Sequence, residues 1–170
     1  MQNKVLFVLP FKIFRDEEYA DPKAVFEKAG YTVITASSKL GMAEGKMGMR
    51  AKVDITIDQV KAEEYAVVLF IGGSGSEEYF NHPLAHQIAH DTLQQKKILG
   101  AICAAPEILC NAGVLKDKKA TMFADTGCMA KAGATFTGRG VEIDGNIITA
   151  SGPKTAKLWA EVIIKAIHAK

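Results

Sequence analysis

Short apolar runs without polar alternation recur along the chain, separated by stretches with helical spacing. Strands that are apolar on both faces are typical of parallel sheets that helices cover on both sides. We therefore predict an α/β fold, a doubly wound and mostly parallel sheet sandwiched by helices, in which ligands bind at the carboxyl ends of the strands. The four runs are Val5 to Leu9, Val33 to Ala36, Ala66 to Ile71 and Ile98 to Cys103.

Helices and two smaller antiparallel features complete the predicted pattern. Proline following a capping residue marks a helix start, and glycine marks an end. The hairpin is predicted from Asp144-Gly145, which lies between two alternating runs. The first predicted helix is Pro22 to Ala29, which Asp21 caps and Gly30 ends. The second is Pro83 to Gln95, with His82 or Asn81 as its cap. The third is the amphipathic helix Lys154 to Ala169. The antiparallel features are the hairpin Val141 to Ala150 and a small excursion over residues 47–58.

Length and charge limit what such a chain can be. Its 170 residues fit one domain, which we place at 1–170. The net charge of +2 is scattered, and this disfavours nucleic acid as a partner. The opening apolar run ends at Pro10, too early for a signal peptide, and no run approaches the roughly 18 apolar residues of a membrane span. We expect a cytoplasmic protein that keeps its three cysteines as free thiols.

Cys103 lies at the junction between a predicted strand and a helix that can begin near Pro106. First-turn N–H groups and the helix dipole would favour the thiolate there. Small neighbours such as Ala104 permit a sharp turn that resembles a nucleophile elbow with sulfur in place of oxygen. The alternative is a small buried apolar residue, which is the commoner state of a free cysteine. We favour that alternative for Cys110 and Cys128, and no spacing marks either as a resolving cysteine.

Two further strand ends carry groups that suit a thiol. Gly72-Gly73 follows the run Ala66 to Ile71, where bare backbone N–H groups could form an oxyanion hole together with the N–H of Ala104. After the first strand, Asp16 and Glu17 fit a solvated first helical turn. A carboxyl group buried beside the sulfur would stay protonated and could shuttle a proton, and the residues alone do not choose between Glu17 and Glu18.

Several motifs in chain order resemble the ThiJ/PfpI family, most closely the branch that contains the Parkinson-disease-associated protein deglycase and its bacterial relatives. They are Glu18 to Pro22 (E-x-x-x-P), Ala29-Gly30, Gly72-Gly73, Ala101 to Pro106 (A-I-C-A-A-P) and Thr149 to Pro153 (T-A-S-G-P). The resemblance implies a flavodoxin-like, class I glutamine amidotransferase-like fold that forms a homodimer. It also implies catalytic Cys103 and Glu18, with backbone donors at Gly73 and Ala104.

Other polar residues have weaker patterns. The peptidase-like branch of the family has a histidine directly after the cysteine, where this chain has Ala104, and no histidine lies in Met122 to Asp125. Arg50 resembles an anion-contacting arginine beside the family pocket. His82, His86 and His90 have a spacing that can bind Zn²⁺, but we favour a polar helix face. We therefore expect neither a metal nor an organic cofactor.

Three functions remain open on the sequence. The leading hypothesis is an enzyme that uses Cys103 and Glu18 to convert small reactive aldehydes, as a glutathione-independent glyoxalase or a deglycase, with methylglyoxal giving lactate. The alternative is a non-catalytic redox sensor or stress-protective protein whose signal is oxidation of Cys103. A cysteine peptidase or amidase would need a histidine brought to the sulfur from elsewhere in the chain.

Overall fold

A computed structural model of the chain describes residues 3–170. Each predicted apolar run forms a strand, and most strands are short. The strands are β1 Lys4–Val8, β2 Lys12–Phe14, β3 Thr32–Ser37, β4 Gly41–Gly45, β5 Arg50–Val53, β6 Ile55–Thr56, β7 Val67–Phe70, β8 Ile98–Ile102, β9 Lys119–Ala120, β10 Thr135–Phe136, β11 Val141–Asp144 and β12 Ile147–Ala150. The α-helices are α1 Asp16–Lys28, α2 Glu77–Phe80, α3 Pro83–Gln94, α4 Pro106–Asn111, α5 Cys128–Lys131 and α6 Ala156–His168.

The main sheet has seven strands in the order β11-β12-β8-β7-β1-β3-β6. All neighbours in it pair in parallel except β11 with β12, which form the predicted hairpin. The central strands β1, β7 and β8 are the most apolar, as expected for strands with a neighbour on each side and a helical layer on each face. This confirms the predicted doubly wound α/β fold.

Two apolar clusters fill the space on the two faces of the sheet. Alternate residues of β1 divide between them, since Leu6 and Val8 join one cluster and Val5 and Phe7 the other. Helices α3 and α4 pack on the first face, and α1 and α6 on the second. The buried indole N–H of Trp159 in α6 donates to the Ile148 carbonyl at 2.9 Å, which attaches the last helix to β12.

Helix α1 begins six residues earlier than predicted, so the predicted start at Pro22 and cap at Asp21 are wrong. Pro22 lies inside the helix, whose N-cap is Arg15. Proline inside a helix costs about 3 kcal/mol in exposed contexts. Here the buried Pro22 packs with the buried face of α1, and three acidic residues in the first turn complement the helix dipole. The earlier start places Glu18 on the helix rather than in a loop.

The small antiparallel excursion is confirmed and is more extensive than predicted. Strand β5 pairs antiparallel with β4, and β2 joins the other edge of β4 to make a three-stranded sheet. Residues Ile55–Thr56, which the prediction included in the excursion, instead join the main sheet beside β3. Among residues 3–170, no helix is both long enough and apolar enough to cross a bilayer.

Candidate active site

Three adjacent strands, β8, β7 and β1, end at the same edge of the sheet. Cys103 follows β8, Gly72 and Gly73 follow β7, and the segment after β1 leads through β2 into α1 and Glu18. The carboxyl ends of parallel strands are where open α/β sheets bind ligands. The chain therefore brings together the thiol, the paired glycines and the carboxyl group that the sequence analysis singled out.

Cys103 occupies a sharp turn between β8 and α4. Its φ angle is +64°, in the left-handed region that non-glycine residues rarely adopt. Backbone hydrogen bonds hold the residue there: its N–H donates to the Ala150 carbonyl, and its carbonyl accepts from the Phe123 N–H, both at 2.9 Å. The side chain remains partly exposed. This is the geometry of the predicted nucleophile elbow.

Gly72 lets the carboxyl group and the thiol approach each other. A Cβ on Gly72 would lie 2.7 Å from Oε2 of Glu18, 2.8 Å from Cβ of Cys103 and 2.5 Å from the Ile102 carbonyl oxygen. No side chain larger than hydrogen fits between these groups. At Gly73, with φ of +106°, a Cβ would instead strike the backbone of the β2–α1 connection.

Glu17 and Glu18 have opposite environments, and this separates the two candidates. Glu17 is half exposed and forms an ion pair with Arg15 at 2.8 Å, which lowers the pKa of its carboxyl group. Glu18 is fully buried, and neither of its carboxyl oxygens has a hydrogen bond of regular geometry in residues 3–170. The polar side chain it faces is Cys103. Burial raises the pKa of Glu18 to about 8, with interactions from the thiol and Arg15 opposing part of that rise.

The sequence predicted a thiol poised as thiolate, and the structure corrects this. Burial, and then the negative charge of Glu18, raise the pKa of Cys103 to about 12. The nearby backbone N–H groups act in the opposite direction but do not outweigh these effects. Glu18 and Cys103 titrate as a pair: the first proton leaves near pH 8, and repulsion opposes loss of the second.

The two predicted backbone donors do face the sulfur. The backbone N–H groups of Gly73 and Ala104 interact with the thiol of Cys103 and act to lower its pKa. They stabilise negative charge on sulfur or on an oxygen bonded beside it. The site therefore combines a thiol, a carboxyl group that is protonated at neutral pH and two backbone N–H groups that favour negative charge on sulfur.

The sequence profile of the DJ-1/PfpI family matches residues 3–166. The chain belongs to the DJ-1/PfpI family. It is similar to the deglycase PfpI of Pyrococcus furiosus, with 32% identity covering 96% of this chain and 99% of that protein. It is also similar to the glutathione-independent glyoxalase DJR-1.2 of Caenorhabditis elegans, with 24% identity covering 98% of this chain and 90% of that protein.

Among solved structures, the ThiJ/PfpI domain protein of Brachyspira murdochii superposes with a TM-score of 0.97 at 30% identity. The match covers 99% of this chain and 98% of that one. The fold of this DJ-1/PfpI member is therefore that of its relatives over nearly the whole length.

Not every residue singled out by the sequence reaches the site of this family member. Arg50 is exposed on β5 and borders a cavity of about 430 Å³ whose lining includes neither Cys103 nor Glu18. The position of Arg50 therefore does not support its predicted contact with an anion bound beside Cys103 and Glu18. Asp16 is not merely solvated as predicted, because its carboxylate accepts hydrogen bonds from the backbone N–H groups of Met47 and Met49. It thereby ties α1 to the three-stranded sheet.

The histidines are each engaged locally. His82 caps α3 by accepting from the Leu84 N–H, while His86 and His90 bond to separate backbone carbonyls. His168 contacts the Tyr31 hydroxyl. Across residues 3–170, no histidine hydrogen bonds to Cys103, and no three His, Cys, Asp or Glu side chains are arranged to hold a metal ion.

The sequence did not predict one pair of neighbouring thiols. Cys110 and Cys128, both assigned from the sequence as isolated buried residues, lie with their sulfur atoms 2.9 Å apart. Cys128 begins the short helix α5. Their separation of 18 residues matches no standard motif, so no signal in the sequence could have paired them.

Proposed function

We propose that this chain is a cysteine-dependent enzyme acting on small 2-oxoaldehydes, free or bound as adducts, with methylglyoxal converted to lactate as the model reaction. The observation that carries the proposal is the fully buried Glu18 carboxyl group facing the Cys103 thiol across Gly72. A carboxyl group with a pKa of about 8 is matched to proton transfer near neutral pH. The printed names of two relatives, a deglycase and a glutathione-independent glyoxalase, agree with this substrate class.

The first step is addition of sulfur to the aldehyde. In the minority of molecules in which Glu18 is ionised near neutral pH, its carboxylate accepts the thiol proton while Cys103 sulfur bonds to the aldehyde carbon and the carbonyl electrons move to oxygen. The N–H groups of Gly73 and Ala104, which already face the sulfur, stabilise that oxyanion. Glu18 then returns the proton to oxygen, and the product is a hemithioacetal.

The second step moves hydrogen between carbons. Glu18 removes the proton from the former aldehyde carbon, and the electrons pass through an enediol to the neighbouring carbonyl. The proton returns to the second carbon, and the hydroxyl proton of the first carbon passes to the oxygen of the second, which leaves a hydroxy thioester on Cys103. Water cleaves the thioester, so the balance is one methylglyoxal plus one water giving one lactate, with thiol and carboxyl restored.

Lactate formation from methylglyoxal without glutathione tests this proposal. We expect turnover by the unaltered chain and at least a hundredfold loss in Cys103→Ala and in Glu18→Gln, the range that removal of a nucleophile or general acid–base commonly produces. Glu17→Gln is the matched control, because Glu17 lies next in sequence but is paired with Arg15. Turnover by Cys103→Ala equal to that of the unaltered chain would refute the proposal.

A second candidate function is redox sensing through Cys103. It is favoured by the same pair of N–H donors and the buried acid, which would also hydrogen bond to the oxygens of an oxidised sulfur. Catalytic turnover separates the two, because a sensor needs a reactive thiol but no steady-state product. A peptidase mechanism has less support, since no histidine in residues 3–170 hydrogen bonds to the sulfur and residue 104 is alanine.

We also propose that the protein works in the cytoplasm as a homodimer. Large apolar side chains lie exposed on and beside the three-stranded sheet, namely Ile13, Leu40, Met42 and Met47. Apolar clusters of this kind are frequent at protein interfaces. Sedimentation of the unaltered chain tests the state, and a monomer at micromolar concentration would contradict it.

A further inference from the structure

Four sulfur atoms lie together in the apolar cluster on one face of the sheet, whereas Cys103 packs against the cluster on the other face. Cys110 lies in α4 and Cys128 at the start of α5, with their Sγ atoms 2.9 Å apart. Sδ of Met129 lies 3.7 Å from Sγ of Cys110, and Sδ of Met122 lies 3.8 Å from Sγ of Cys128. Neither cysteine takes part in the reaction proposed above.

The type of ligand decides between two uses of such a cluster. A structural zinc site needs four ligands from Cys, His, Asp or Glu. The other two sulfurs here are methionine thioethers, and within residues 3–170 no three His, Cys, Asp or Glu side chains are arranged to bind a metal ion. A disulfide needs its sulfurs about 2.05 Å apart, which requires an approach of less than 1 Å from the present 2.9 Å. The geometry favours bonding between the thiols.

The two thiols also differ in the direction in which their pKa values are shifted. A hydrogen bond with Cys110 lowers the pKa of Cys128, and Thr126 contributes in the same direction. The same hydrogen bond and burial raise the pKa of Cys110. Cys128 is therefore the sulfur that ionises first and attacks an oxidant, while Cys110 retains its proton.

A cavity gives small molecules access to the pair. It has a volume of about 280 Å³, and both cysteines form part of its wall together with Glu107, Thr126 and Lys131. Although each cysteine residue is less than a tenth exposed, this cavity opens beside them. Hydrogen peroxide and small alkyl hydroperoxides fit such a volume, whereas a protein oxidant does not.

We propose that Cys110 and Cys128 form a second redox site, a dithiol that small hydroperoxides oxidise reversibly to an intramolecular disulfide. Cys128 sulfur attacks the terminal peroxide oxygen, the O–O bond breaks, and water or an alcohol leaves with a proton, giving a sulfenic acid. Cys110 sulfur then bonds to Cys128 sulfur and displaces water. Two thiols lose two electrons and two protons, and the hydroperoxide gains them. The proposal does not depend on the reaction of Cys103.

Peroxide titration of Cys103→Ala, in which only this pair remains, tests the proposal. We expect the two free thiols to disappear together, the intact mass to fall by two hydrogen atoms, and peptide mapping without reductant to find Cys110 linked to Cys128. Dithiothreitol should restore both thiols. Oxygen addition to either cysteine without a link between them, or links between separate chains, would overturn the proposal.

Two controls keep the test independent of how any one variant folds. Mapping of the unaltered chain should find the same link, so no substitution is required. In urea-unfolded chain the link should fall below half of the oxidised product, since the native geometry no longer holds the sulfurs together. A yield that is equal in folded and unfolded chains would show that the geometry is irrelevant. Cys110→Ala and Cys128→Ala should each abolish the loss of two hydrogen atoms from the intact mass, and a loss that persists in either would contradict the assignment.

Discussion

Glu18 and Cys103 meet across the bare Cα of Gly72, with Oε2 of the acid and Cβ of the cysteine both within 2.8 Å of the point where a Cβ would stand. The acid comes from α1, the thiol from the β8–α4 turn, and the glycine from the end of β7. This contact couples the ionisation of the two groups, because each loses its proton less readily when the other is charged. Most of the behaviour expected of this site follows from that coupling.

Replacement of Gly72 by alanine should damage both stability and the site. The new Cβ would press on the Ile102 carbonyl oxygen, Glu18 and Cys103 at 2.5 to 2.8 Å. We expect a loss of about 3 kcal/mol in unfolding free energy, at the upper end of overpacking costs, measured by urea denaturation. Gly152→Ala is the matched control: its φ of 167° suits any residue, and the new Cβ would meet only the exposed side chain of Phe123. Equal losses in the two variants would contradict this explanation.

Replacement of Glu18 by glutamine should lower the pKa of Cys103, because the charge of Glu18 raises it. The measurement is the pH dependence of the rate of alkylation by iodoacetamide, followed on the peptide that contains Cys103. Glu17→Gln should leave that profile nearly unchanged, since Glu17 is half exposed and paired with Arg15. If both variants shift the profile equally, Glu18 is not the coupled acid.

Stability should fall as pH rises, and Glu18 should account for most of the fall. The pKa of Glu18 is raised from 4.5 to about 8 in the folded state, so between these values the folded chain holds a proton that the unfolded chain has lost. The contribution of this proton to the free energy of unfolding is therefore complete below pH 4.5 and is lost as the pH rises towards 8. At about 1.4 kcal/mol per pKa unit, the expected loss is several kcal/mol.

Urea denaturation at pH 5 and pH 8.5 measures this effect. Glu18→Gln should remove most of the difference between the two conditions, because glutamine does not titrate. Glu17→Gln should retain it. A pH dependence in Glu18→Gln as steep as in the unaltered chain would assign the effect to other groups.

Much of the fold was predictable because the central strands are buried on both faces. Runs such as those that became β1, β7 and β8 have no polar face, and only a parallel sheet covered on both sides accommodates them. The start of α1 was not predictable from the local rule, since proline usually opens a helix. Pro22 lies in the interior instead, because tertiary packing of the helix outweighs the local cost of proline.

At the site, sequence spacing predicted which groups lie together but not how their pKa values are shifted. Glycine pairs and an alanine-flanked cysteine at strand ends were sufficient to place Cys103, Gly73 and Ala104 together. The raised pKa of Cys103 was missed because burial and the neighbouring acid depend on distances that spacing does not encode. The contact between Cys110 and Cys128 was missed for the same reason, since it joins two short helices through tertiary packing.

Oxidation should distinguish Cys103 from the other two cysteines by its product. The N–H groups of Gly73 and Ala104 face the sulfur of Cys103, and the protonated Glu18 can donate a third hydrogen bond. Sulfinate oxygens accept hydrogen bonds better than sulfur does, so these donors should stabilise the two-oxygen state. Because the sulfur atoms of Cys110 and Cys128 contact each other at 2.9 Å, we expect neither to form a disulfide with Cys103.

We therefore expect graded peroxide to add two oxygens to Cys103 and to link Cys110 with Cys128, as read from mass spectrometry of peptides. The melting temperature should not fall when Cys103 is oxidised, since the added negative charge meets donors already in place. Glu18→Gln should yield less sulfinate and more of the three-oxygen sulfonate, because an amide N–H is a weaker hydrogen-bond donor to the anion than the O–H of a carboxylic acid. A disulfide that includes Cys103, or a Cys103 that stays reduced while Cys110 and Cys128 oxidise, would show that the donors at the strand end do not stabilise negative charge on this residue.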